Sequence, residues 1–195
     1  MVVLEVGLLR PAAVRSLLPV AAPAATGPMA IAWNHIQLRL IELLGDEGMA
    51  IARQLAMTTY RSEADFDERF GRSMQPDGTP SIVSYLEYQG RKLVDRFDRD
   101  TYRALAGSMD RHDIGRGRDG IPAALASLAA AKVRLHGVGI VGDILYGPGQ
   151  VEALLEAARD AGVETAYREI RSNKGHDAFL VEWDQMAEVL GELIA

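Results

Sequence analysis

The chain contains no cysteine. That excludes a disulfide framework and any thiolate metal site, and it fits a reducing cytoplasm. Paired metal-ligand spacing is also missing, because His35, His112, His136 and His176 are scattered and no His-Glu-x-x-His motif occurs. No run reaches the roughly 18 apolar residues that a membrane span needs. The apolar opening from Met1 to Leu9 carries Glu5 and lacks a positive start, so it reads as a buried helix and not as a signal peptide. Basic residues form no stripe. The short cluster from Arg111 to Arg118 is interrupted by Asp113 and has no aromatic partner, which makes it a solvated loop and leaves no nucleic-acid surface. Gly115-Arg116-Gly117 has no strand before it and so is not a phosphate-binding loop.

What is present is the composition of a soluble globular protein: 195 residues, 48% hydrophobic and 25% charged, with a net charge of -6. Ser16 to Ala22 reads as a short buried strand that ends in the breaker-rich stretch from Pro23 to Pro28. Five helical patterns follow, over Ala30–Leu44, Gly48–Tyr60, Ser62–Phe70, Ile82–Leu93 and Tyr102–Met109, and Ser62 with Asp65 forms a capping-box pattern. Helix and strand then alternate: a helix over Pro122–Ala131, a strand over Val133–Val141, a helix over Pro148–Ala161, a strand over Thr165–Ile170 and a last helix from Asp184 to Ile194. This alternation predicts an α/β fold with a parallel sheet. Residues 1–22 and 122–195 form the α/β core, and residues 23–121 form a helical insertion. Three strands leave sheet edges that further strands would normally cover. The Val133–Val141 strand is interrupted by Arg134, His136, Gly137 and Gly139, an unusual pattern for a central strand.

Two residues in this frame can carry acid–base chemistry. Asp143, in Gly142-Asp143-Ile144-Leu145-Tyr146, and His176, in Gly175-His176-Asp177-Ala178-Phe179-Leu180, each follow a predicted strand, with one helix–strand unit between them. A parallel sheet would bring both loops to one edge, where open α/β sheets place their chemistry. A histidine acts as general base when one ring nitrogen faces the nucleophile while a carboxylate holds the other. Asp177 adds a second carboxylate beside it, suited to an ammonium group. Taken bare, the pair also reads as a capping aspartate and a structural histidine.

Several segments together resemble the homoserine O-acetyltransferases: GHDAFL from Gly175 to Leu180, the Asp143-Ile144-Leu145-Tyr146 turn with Pro148 after it, Ala30-Ile31-Ala32-Trp33-Asn34, Gly48 to Tyr60, and SYLEYQG from Ser84 to Gly90. The resemblance extends over nearly the whole chain. It implies a partial α/β-hydrolase fold, made of C-terminal parallel strands with flanking helices, plus a helical lid insertion. It further implies Asp143 as triad acid, His176 as general base and Asp177 as the carboxylate for the substrate amino group. Arg53 matches a lid arginine that contacts substrate, a role suited to holding an α-carboxylate bidentately. Tyr60, about two helical turns further along the same face, matches a pocket tyrosine or simply packs between helices. Tyr88 and Gln89 are weaker candidates that read as core or lid packing.

The family's activity implies acetyl-CoA as donor co-substrate with no bound cofactor, L-homoserine as acceptor, a cytoplasmic setting in methionine biosynthesis, and a homodimer formed through the lid. The chain departs from the family at the nucleophile. None of its serines stands in a Gly-x-Ser-x-Gly elbow between strand and helix, and Met1 is expected to fall a few residues after that serine. The family's serine and proline around the acid are Gly142 and Gly147 here, and the linker between Leu44 and Gly48 is short. A serine or homoserine O-succinyltransferase, an α/β-hydrolase esterase and a non-catalytic dimerising module remain as alternatives.

Overall fold

In the computed structural model, which describes residues 1–194, α1 (Val2–Leu9) and a 3-10 turn (Pro11–Ala13) lead into β1 (Ser16–Leu17). Five helices follow: α2 (Pro28–Leu44), α3 (Asp46–Tyr60), α4 (Glu63–Arg69), α5 (Ser81–Val94) and α6 (Arg99–Asp110). The alternating part then runs α7 (Ile121–Ala130), β2 (Arg134–Val141), α8 (Pro148–Asp160), β3 (Thr165–Arg171), a 3-10 helix (Gly175–Leu180) and α9 (Trp183–Ile194). Among the described residues the strands form one sheet in the order β1-β2-β3, parallel throughout. No helix is long and apolar enough to cross a membrane among those residues.

Helices cover both faces of this sheet. Leu4 and Leu8 of α1, Leu125 and Leu128 of α7, and Leu154 and Leu155 of α8 close around Leu17 and Leu135. Val189 and Leu193 of α9 meet Val138, Ile140 and Ile170 in a second cluster. Strand periodicity accounts for the division, since alternate residues of β2 face opposite sides. The inserted helices have a smaller core of their own, in which Ile41 of α2 and Met49 and Ala52 of α3 pack against Leu93 of α5.

Four local expectations are corrected. The strand expected over Ser16 to Ala22 stops at Leu17, because Pro19 has no N–H to give to the ladder. The chain still follows β2: Val138 N–H donates to the Pro19 carbonyl at 3.1 Å and Ala21 N–H to the Val138 carbonyl at 2.8 Å. Helix α1 is buried on one side only. Leu4 is sealed, whereas Val2, Val6 and Leu9 are exposed. The loop from Arg111 to Arg118 is half-buried, with Ile114 fully enclosed and Arg118 donating to the Ile114 carbonyl and to Glu5. Finally, β2 is the central strand and is buried from Leu135 to Ile140 despite its glycines. Those glycines let α8 come close, since a Cβ on Gly137 would lie 2.7 Å from Val151 Cγ1 and 2.8 Å from Leu155 Cδ1.

His136, on the opposite face of β2 from Gly137, is buried, and both its ring nitrogens lack a hydrogen-bond partner. Burial, reinforced by Arg134, lowers its affinity for a proton. The unfolded chain binds that proton near pH 6.5 while the folded chain resists it, so stability is lost as pH falls through that region. Chemical denaturation at pH 7.5 and 5.5 is expected to show a smaller loss at the lower pH for His136→Leu than for the parent.

Candidate active site at the C-terminal edge of the sheet

Strands β2 and β3 stay in register from Leu135↔Thr165 to Val141↔Arg171. The chain therefore leaves both strands at the same edge. After β2 it turns through Gly142, at φ +82°, and Asp143 N–H donates to the Ile140 carbonyl at 3.1 Å. After β3 it enters the short 3-10 helix that carries His176. Asp143 and His176 meet there, with Nδ1 of the ring 2.7 Å from Oδ2 of the carboxylate.

The carboxylate is fixed from both sides. Its Oδ1 accepts from the backbone N–H of Leu145 at 2.8 Å and of Tyr146 at 3.0 Å, which leaves Oδ2 for the histidine. Asp143 is therefore a turn-capping aspartate and a histidine partner at once. Because a carboxylate only accepts, the contact selects the tautomer with the proton on Nδ1, the form in which Nε2 presents a lone pair. Among the described residues Nε2 has no hydrogen-bond partner, and no serine hydroxyl is bonded to it. Tyr60, Tyr146 and Phe179 frame the ring, with centroids 6.2, 5.7 and 5.7 Å away.

Tyr60 lies at the end of α3, and its phenol is held above its usual pKa, chiefly by burial and also by the charge of Asp177, with Arg53 opposing. It stays protonated as a donor. Arg53 stacks its guanidinium over the Tyr60 ring, 5.3 Å from the centroid. Beyond it lies a cavity of about 240 Å³ whose polar lining includes Arg53, Asn34 and Gln37 and whose wall includes Phe97 and Tyr102. Burial pushes the Tyr102 phenol up as well, and its hydroxyl donates to Gln37.

Asp177 is ion-paired with Arg61 at 3.3 Å and lies close enough to Tyr60 for its charge to act on the phenol. The structure thus brings Asp143, His176 and Tyr60 together, with Arg53 over the tyrosine ring and Asp177 held by Arg61, and among the described residues no ion pair joins Arg53 to Asp177. Arg61 had not been singled out, although it is the next residue after Tyr60. Tyr88 is exposed, with Lys92 over its ring at 5.7 Å, so it does not pack in a core. Its neighbour on α5, Tyr85, stacks on Phe66 and Phe70 instead. Tyr146 lay in the motif but carried no expectation. Its phenol is pushed up to about 12, first by burial and then by Tyr60, Asp110 and Asp143. Among the described residues, no group of three His, Cys, Asp or Glu side chains is arranged to hold a metal.

A parallel sheet covered on both faces, with an Asp–His pair on consecutive strand-end loops, belongs to the α/β-hydrolase class. Esterase E22, a member of that architecture, superposes with a TM-score of 0.87 over 99% of this chain and 58% of its own, at 13% identity, which is a likeness of fold alone. Sequence narrows the class. The chain is 36% identical over 210 residues to the homoserine O-acetyltransferase of Moorella thermoacetica, covering 97% of this chain and 55% of that protein. The crystal structure of homoserine O-acetyltransferase from Staphylococcus aureus matches with a TM-score of 0.72 and 32% identity, over 92% of this chain and 51% of its own. No protein-family model matches. The curated homologues of this chain are homoserine O-acetyltransferases, and it spans about half the length of those it matches.

Proposed function

We propose that this chain carries the acid–base and acceptor-binding half of an acyltransferase that moves an acetyl group from acetyl-CoA to the hydroxyl of L-homoserine. The observation that carries the reading is the 2.7 Å Asp143–His176 bond, with Nε2 free of any hydrogen-bond partner among the described residues and the Tyr60 and Tyr146 rings next to the imidazole. Its nucleophile is a serine supplied by residues outside this chain. In the first half-reaction the serine oxygen attacks the thioester carbonyl and its proton passes to His176 Nε2, which returns a proton to the departing CoA sulfur. In the second, Nε2 takes the proton of the homoserine hydroxyl as that oxygen attacks the acyl-enzyme ester. The proton then goes to the leaving serine. Asp143 keeps the ring in the required tautomer and stabilises the imidazolium.

The acceptor is an amino acid because the site has a charge for each end of one. Arg53, anchored on Tyr60, faces the α-carboxylate, and Asp177 faces the ammonium. An esterase that passes the acyl group to water needs neither group. Residues 23–121 act as the lid over residues 1–22 and 122–195, and the chain alone is inactive for want of the serine. Two lids meet in a homodimer in the cytoplasm. Supporting the dimer, Met29, Ile36 and Leu43 recur at heptad spacing on α2 and are all exposed.

The test joins this chain to the segment of the Moorella thermoacetica relative that it does not span and follows CoA release with acetyl-CoA and L-homoserine. Acetyl transfer is expected in the joined protein and none in the chain alone. His176→Ala should lower kcat by about 10³-fold or more. Arg53→Ala should raise KM for homoserine roughly ten- to a hundredfold and leave that for acetyl-CoA near its parent value. CoA release that is indifferent to homoserine would favour the esterase, and transfer from succinyl-CoA or to L-serine would redefine the substrates. For the dimer, sedimentation of Ile36→Glu/Leu43→Glu is expected to give a monomer where the parent gives a dimer.

A further inference from the structure

After Asp143, whose side chain is 0% exposed, Asp65 is the next buried acidic side chain near the site, with its own 1% exposed. Helix capping does not account for it. Ser62 Oγ does accept from Asp65 N–H at 3.1 Å, but the carboxylate makes no return bond to the Ser62 backbone, so the box is half-formed. The carboxylate turns instead toward the loop that carries His176. Its Oδ1 accepts from Lys174 Nζ at 2.9 Å, and its Oδ2 has Arg69 at 3.5 Å and Arg61 at 3.8 Å. One buried anion therefore faces three cations. Such a group is costly to enclose unless those partners hold it.

Two of those cations lead directly into the site. Lys174 is two residues before His176 and also donates to Glu68 at 3.2 Å. Arg61 reaches from Asp65 to Asp177, so the same buried carboxylate stands behind the residue after His176. The backbone between them is tied to the same junction. Ser62 Oγ donates to the Asn173 carbonyl, and Asn173 Nδ2 donates to Glu68 at 2.7 Å. Gly175 sits at φ +67° against α3 and α4, where a Cβ would come within 2.7 Å of Ser62 N and 2.8 Å of the Tyr60 carbonyl. Gly175 thus packs tightly against α3 and α4, and while Ser172 is held by Glu182 and Asn173 by Glu68, Lys174 directly and Asp177 through Arg61 are tied to Asp65.

We propose that Asp65 is a positioning residue: through Lys174 and Arg61 it fixes the 172–178 loop so that His176 stays on Asp143 and Asp177 keeps its place beside Tyr60. A buried carboxylate on a helix of the insertion thus sets the orientation of an imidazole on the sheet edge. The role matters for acyl transfer only if His176 is the base, as proposed above. The measurement below reads the imidazole directly, so it stands or falls independently of that activity.

The experiment is nitrogen-15 NMR of the His176 side chain at alkaline pH in the full chain, together with amide hydrogen exchange. In the parent, Nδ1 is expected to be protonated and Nε2 bare. In Lys174→Met the two tautomers should mix, and the amides of Gly175 to Asp177 should exchange roughly tenfold faster or more, with those of β2 and α8 unchanged. Lys174→Arg should restore the parent pattern. Asp65→Asn should act like Lys174→Met where it folds. Because Lys174 is partly exposed, its variants decide the matter even if Asp65→Asn does not fold. A parent-like tautomer and exchange pattern in Lys174→Met would overturn the proposal, as would faster exchange spread evenly over β2, α8 and the loop.

Discussion

The parallel pairing of β2 with β3 is the constraint on which the site depends. Seven consecutive residue pairs, ending at Val141↔Arg171, release two loops at the same edge of the sheet, and only that edge can bring Asp143 to His176. The pairing in turn depends on β2 being buried from both sides. Helix α8 approaches one side closely enough that Gly137 has no room for a side chain, and α9 with the Ile140–Ile170 cluster closes the other. A shift of one residue along either strand would turn every side chain to the wrong face. The 2.7 Å contact is therefore a consequence of the core as much as of the two loops.

Around that contact the charged groups differ in how fully they are partnered, and on the proposed reading this difference divides the site by function. Asp143 accepts from two backbone N–H groups and bonds the imidazole, and its side chain is fully buried, which keeps it from substrate. Asp177 has Arg61 on one oxygen only and is partly exposed, so it can still accept from an ammonium group. Among the described residues Arg53 has a tyrosine ring for a partner and no carboxylate. A stacked guanidinium keeps its donors available for an incoming carboxylate. Tyr60 links these elements, because it borders the imidazole, carries Arg53 and feels the charge of Asp177.

Much of this was legible in the sequence because the signals were local. Strand-end aspartate and histidine and the order of helices and strands depend on short-range pattern, whereas Arg53 and Tyr60 were implied only by the family resemblance. What was not legible depended on contacts between distant segments. Gly137 looked like a weakness in a strand until α8 was seen against it. Asp65 read as half of a capping box, and only the fold shows Lys174 beside it. Pro19 cut short the predicted first strand although the chain goes on tracking β2, since a missing N–H ends a ladder without moving the backbone away.

The central claim is that this chain by itself assembles the Asp143–His176 pair in the orientation a general base requires. Proton NMR of the chain tests it most directly, through the resonance of the His176 Nδ1 proton shared with Asp143. The account predicts a strongly low-field signal that is absent in His176→Gln and moves well upfield in Asp143→Asn. A spectrum without that signal, or one in which it survives Asp143→Asn unchanged, would contradict it.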